Sequence, residues 1–177
     1  MAKVNPILEA GRPLGEEFVL WLWRQSVQAG GVSEIEGDST ALFMDETIQF
    51  SSPSGDVQEV LLKKGNPAES LAAFEAIARG MRPVKATMRL LQGDLEWKFT
   101  LVAATLEVQG AKLPPVQSKG LYDALSDRFL LLEELNEHIQ KRFEVFAQLR
   151  FDDADAMRDE FREWIMGACQ KAEYAEA

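Results

Sequence analysis

Few residues in this chain can do covalent or metal chemistry, and they are poorly placed for it. His138 is the only histidine, with Glu134 one helical turn before it. Two such groups are at most half of a metal site, because zinc takes three or four protein ligands. The same spacing is met more often in a solvated helical ion pair, which is the expectation for Glu134 and His138. Cys169 is the only cysteine. A cysteine nucleophile needs an electropositive niche, whereas Cys169 falls in an apolar helical pattern and is expected to be buried and inert. No glycine-rich phosphate loop follows a strand, and no G-x-S-x-G elbow occurs. The sequence therefore predicts neither a catalytic residue, nor a metal, nor a cofactor.

The positive feature is "AIARGMRPVKATMRLLQG", residues 76–93, with four bases and no acid in a chain of formal net charge −10. From Leu121 onward, fourteen acids against seven bases account for −7 of that total. A positive patch must therefore lie in the first two thirds. Turning "RPVKATMRLLQGDLEWKFTLVAATLEV" at Gly93-Asp94 sets Leu90 opposite Trp97, Met88 opposite Phe99 and Ala86 opposite Leu101, all facing one way. The other face pairs Thr87 with Thr100 and Arg89 with Lys98, with Lys85 further along. Like charges opposed across strands cost stability, so the face points either to an anionic partner or to a solvated surface. Arg79 and Arg82 flank the preceding helix end. No exposed aromatic adjoins these bases, which favours contact with a nucleic-acid backbone over base stacking.

The elements that carry this hairpin follow from periodicity. "LGEEFVLWLWRQS", residues 14–26, reads as a helix with Leu14, Phe18, Trp21 and Leu22 on one face, and Val19 and Trp23 on a flank. It is expected to stop at Gly30-Gly31. Its breadth of apolar surface predicts contacts on more than one side, Trp23 meeting either the C-terminal helices or another subunit. "TALFMDETIQFSS" reads as a hairpin turning at Asp45-Glu46, with Ala41, Phe43, Ile48 and Phe50 on one face. "DVQEVLLKKG" is a further strand. "NPAESLAAFEAIARG" is a helix with Asn66 as cap, Pro67 first, Glu69 closing a capping box and Gly80 ending it. Pro114-Pro115 close the sheet.

From Ser118 to Arg150 one long helix is predicted on the stripe Leu121, Leu125, Phe129, Leu132, Leu135, Ile139, Phe143 and Phe146. Asp152-Asp153 cap a last helix with the stripe Met157, Phe161, Trp164, Ile165 and Ala168. The fold class is α+β, with a mostly antiparallel sheet over residues 1–117 and a helical hairpin over 118–177 packed on it as one unit. The lone cysteine and the absence of a signal-peptide pattern in "MAKVNPILEAGRP" predict a reducing cytoplasm. Six consecutive apolar residues fall far short of the roughly 20 that a bilayer-spanning helix needs. Apolar stripes longer than a small sheet can cover predict a homodimer.

Taken together, "PLGEEFVLWLWRQS", "ALFMDETIQF", "ARGMRPVKATMRL" and "WKFTLVAATLEVQGAKLP" resemble the C-terminal half of the recombination-associated protein RdgC family, over roughly residues 12–150. The resemblance is one of element order and scattered residues. It implies a nucleoid-associated dimer that closes into a positively lined ring. It implies binding of duplex DNA without strong sequence preference, and restraint of a strand-exchange recombinase. Arg79, Arg82, Lys85, Arg89 and Lys98 are the positions that inherit a DNA contact. A non-enzymatic oligomeric scaffold that never touches nucleic acid is the alternative reading.

Overall fold

A single fourteen-residue strand, β2 (Asp38–Ser51), is the spine of the sheet. The computed structural model describes residues 14–28, 32–35, 38–52, 59–63 and 70–175. One edge of β2 pairs with β4 (Arg82–Gln92) along nearly its whole length. Its other edge is shared end to end by β1 (Val32–Ile35) and β3 (Glu59–Lys63). β5 (Leu95–Val102) and β6 (Glu107–Lys112) complete a six-stranded antiparallel sheet of order β1-β2-β4-β5-β6, with β3 beside β2. Among the described residues the helices are α1 (Leu14–Gln28), α2 (Leu71–Ala78), α3 (Leu121–Asp152) and α4 (Ala154–Ala175). The architecture is α+β, as the sequence predicts.

β2 corrects the hairpin expected at Asp45-Glu46. The strand runs straight through those residues. Between Met44↔Met88 and Ile48↔Ala86, β2 advances four residues while β4 advances two, so Asp45 to Thr47 form a bulge. A two-residue hairpin turn there needs positive φ, and neither Asp45 nor Glu46 adopts it. Polar residues interrupting an apolar alternation look the same in sequence whether they turn a strand or bulge it. The buried face is Leu42, Met44, Ile48 and Phe50, while Ala41 and Phe43 are half-buried on the opposite face. The β4–β5 register is the predicted one throughout, from Ala86↔Leu101 to Leu90↔Trp97.

Helices cover the apolar face. Every side chain from Phe18 to Trp23 is buried, so α1 is enclosed. Phe18 packs against Phe143 and Phe146 of α3 at ring-centroid distances of 5.2 and 5.4 Å. Trp23 meets Phe74 of α2 at 5.0 Å, Trp164 of α4 at 5.1 Å and Phe50 of β2 at 6.1 Å, which places it in the core. Leu14, expected on the packed face, lies at the helix start and is exposed. Gly15 lets that start approach the sheet, since a Cβ there would stand 1.7 Å from the Ala103 carbonyl oxygen. Glu17 is buried in an ion pair with Arg150 of α3.

Helix ends follow the local rules. α2 closes in a Schellman motif on Gly80 (φ 85°): the Gly80 N–H donates to Ile77 O and the Met81 N–H to Ala76 O. Asp153 caps α4, its Oδ1 accepting from the Ala156 N–H at 2.8 Å. The cap proposed for Asn66, Pro67 and Glu69, and the stop at Gly30-Gly31, lie outside the described residues. α3 departs from its predicted stripe. Its thirty-two residues rise roughly 48 Å, crossing the sheet from Trp97 of β5 at Leu131 to Thr40 of β2 at Arg142. Trp97 Nε1 donates to the Leu131 carbonyl at 3.0 Å near the hairpin tip. Before Leu131 the helix runs past the end of β6 and the segment 114–117, Arg128 lying near Ala111 and Leu113, and Leu121, Leu125 and Phe129 are left exposed.

Two outcomes follow from this packing. Trp23→Ala should cost about 3–5 kcal/mol, the range for truncating a fully buried large aromatic, measured by urea melts. Burial raises the Glu17 pKa above its ordinary 4.5, against the opposing pull of Arg150. The folded state thus holds this proton more tightly than the unfolded chain. Its contribution to stability is full below pH 4.5 and is lost as pH rises through the folded value. The stability of Glu17→Gln relative to wild type should therefore improve as pH is raised from 4.5 to neutrality. Paired melts at the two pH values test this, and a difference that does not change with pH would refute it.

Candidate nucleic-acid interface

Strand alternation puts Lys85, Thr87 and Arg89 of β4 on the face away from the helices, with Lys98, Thr100 and Val102 of β5 beside them. All six are exposed or half-buried. Thr87 and Thr100 hydroxyls lie 3.2 Å apart. Arg89 stands directly opposite Lys98, and Lys98 directly opposite Lys112 of β6. Arg89, Lys98 and Lys112 thus form a row across three neighbouring strands, spanning roughly 10 Å at the usual strand spacing. Sequence reasoning missed Lys112. Its place depends on an irregularity in the β5–β6 ladder, between Lys98↔Lys112 and Thr100↔Gln109, that no alternation pattern announces.

The like-charge opposition is compensated from within. The β2 bulge brings Asp45 against both bases, 2.6 Å from Lys98 Nζ and 3.4 Å from Arg89 Nε. Glu46 lies 3.2 Å from Lys98, and Glu96 lies 3.8 Å from Arg89. The hydrogen bond to Asp45 is the largest influence raising the Lys98 pKa above its ordinary value, so this ammonium stays charged. Asp45 is mostly enclosed, while the Arg89 side chain keeps 43% of its surface in solvent. Among the described residues, Lys85 and Lys112 have no ion-pair partner, and both are exposed.

The other two predicted positions lie elsewhere. Arg82 is 3.4 Å from Glu16 of α1 and only 18% exposed, tying the start of β4 to the helical layer. Arg79 projects into solvent from the end of α2, 3.6 Å from Glu75. The structure therefore gathers Lys85, Arg89 and Lys98 on one face and separates Arg79 and Arg82 from them.

The remaining candidates are structural. His138 is buried, its ring edge-on to Trp97 at 6.2 Å, which corrects the solvated pair expected with Glu134. The periodicity that marked Glu134 and His138 as neighbours did not show that Trp97 would cover the histidine. Arg142 is likewise buried, donating to the Thr40 hydroxyl and, at 3.1 Å, to the His138 carbonyl. Cys169 is half-buried against the core, less enclosed than predicted. Among the described residues no group of three or more His, Cys, Asp or Glu side chains could hold a metal. No described helix is long and apolar enough to cross a membrane.

Sequence alone would make removal of Arg89 or Lys98 neutral or mildly stabilising. The enclosed Asp45 reverses that. Lys98→Gln should lower stability, because it withdraws the shortest contact of a mostly enclosed carboxylate. A double-mutant cycle of Asp45→Asn with Lys98→Gln should return a favourable coupling by urea melts. Purely additive effects would mean that the bulge does not hold the pair.

No family model matches this chain, and neither the curated proteins nor the solved structures contain a significant match to it.

Proposed function

We propose that this chain is a non-enzymatic DNA-binding protein that holds duplex against the open face of its sheet through phosphate contacts, in the manner the RdgC resemblance implies. The observation that carries this reading is the cross-strand row Arg89–Lys98–Lys112, with Lys85 further along β4, on a face that the described helices leave uncovered. A local array of cations can bind a polyanion although the whole chain carries −10, since screening confines each charge to roughly 8–10 Å at physiological salt. Charges of this kind contact the backbone and carry no sequence information.

Fluorescence anisotropy with a labelled duplex across a salt series tests the reading. Wild type should bind at low salt with a steep log–log slope, from release of condensed counterions. Lys85→Gln with Lys112→Gln removes the two bases of this face that have no acidic partner among the described residues, and should reduce the magnitude of that slope by about 2. Asp45→Asn should tighten duplex binding by releasing Arg89 and Lys98 to phosphate. Absence of duplex binding by wild type at low salt would overturn the proposal.

A second reading, an oligomeric interaction module that does not touch nucleic acid, is favoured by a specific observation. Four of the five predicted bases (Arg79, Arg82, Arg89 and Lys98) already face acids of their own chain. Under this reading the sheet face is a neutralised surface, and the chain acts through assembly with other copies.

A further inference from the structure

The start of α3 carries a bare apolar stripe. Leu121 is 74% exposed, Tyr122 86%, Leu125 44% and Phe129 66%. With large aromatics covering roughly 150–250 Å² each, these four side chains present on the order of 600 Å² of apolar surface. That lies at or beyond the largest patch a typical monomer exposes. With the charged residues at its margins it approaches the roughly 800 Å² per partner of a standard interface.

The stripe has coiled-coil spacing. In heptad notation, Tyr122, Phe129 and Asn136 fall at a, and Leu125 and Leu132 at d. Arg128 falls at g, and Glu133 at the following e. Arg128 and Glu133 are both exposed, and among the described residues neither has an ion-pair partner in its own chain. In a parallel pair, g of one helix meets the e position five residues further along the other, so Arg128 would face Glu133 twice across a twofold axis. An antiparallel pair would set g against g, where Leu121, Arg128 and Leu135 stand and no acid is available. Asn136 at an a position is the kind of residue that holds a two-stranded parallel seam in register. At 3.6 residues per turn the buried Leu135, His138 and Arg142 lie roughly 100–160° round α3 from the centre of this stripe, leaving an open side for a second helix over residues 122–136.

We propose that two copies of this chain pair through parallel α3 helices over residues 122–136, with Tyr122, Leu125, Phe129 and Leu132 in the seam and Arg128–Glu133 pairs on its flanks. This deepens the assembly reading above and does not depend on whether the sheet face takes DNA.

Sedimentation of the full chain at micromolar concentration should give twice the 19.8 kDa monomer mass. Phe129→Glu should shift it to monomer with an unchanged circular-dichroism spectrum, because Phe129 is exposed in the single chain, while the urea midpoint falls only by the stabilisation that association supplied. Glu133→Arg should also dissociate the dimer, and combining it with Arg128→Glu should restore it. Orientation is read by disulfide cross-linking in a Cys169→Ser background. Tyr122→Cys and Asn136→Cys should each cross-link with themselves when the helices run parallel. A monomer mass for wild type would overturn both the assembly reading and this pairing. A dimer in which neither cysteine variant cross-links, or in which the two cross-link only when mixed, would overturn the parallel seam while leaving assembly standing.

Discussion

Enclosure of the Phe18–Trp23 run is the constraint on which the rest of the structure depends. Six consecutive large apolar side chains point all round a helix, so no single surface can bury them. The sheet takes one side through Phe50, α3 takes another through Phe143 and Phe146, and α2 and α4 close the third through Phe74 and Trp164. The long C-terminal helices are therefore part of the sheet domain's core. Helical cover on the apolar face also leaves the opposite face of the sheet to its polar residues.

That opposite face shows how charge is managed where burial does not decide the matter. Arg89 and Lys98 stand opposed in adjacent strands, an arrangement that is unfavourable by itself. The β2 bulge answers it by presenting Asp45 to both, at the cost of leaving Asp45 to Thr47 without ladder partners on β4. Lys85 and Lys112 extend the positive array beyond the reach of this carboxylate. The face is thus a mixed surface with a neutralised centre and positive ends.

Length mismatch gives the molecule its second open surface. α3 is longer than the width of sheet it crosses, and its turns before Leu131 leave one apolar side uncovered. The apolar period nevertheless continues into those turns, with Arg128 and Glu133 flanking it. A helix that needed only to cover the sheet would have no physical reason to keep that period beyond it.

Whatever depended on short-range pattern was legible in the sequence. The β4–β5 register followed from alternation around Gly93-Asp94, because a one-residue slip would exchange the apolar and charged faces. The ends of α2 and α4 followed from Gly80 and Asp153, whose effects act within one turn. What depended on neighbours distant in sequence was decided by tertiary structure. Asp45-Glu46 reads as a turn by composition, and became a bulge because β4 pairs with β2 on both sides of it. His138 reads as a solvated partner of Glu134, and is buried because Trp97 arrives from another strand. Leu121, Leu125 and Phe129 share the period of Leu135 and Phe146, yet only the latter meet the core, because periodicity records which face a residue occupies and not how far the covering surface extends. The candidate site divides in the same way. Alternation placed Lys85, Arg89 and Lys98 together, whereas Lys112 and Asp45 came beside them through ladder irregularities. Those arise where three strands must satisfy their hydrogen bonds at once, a condition that no single segment contains.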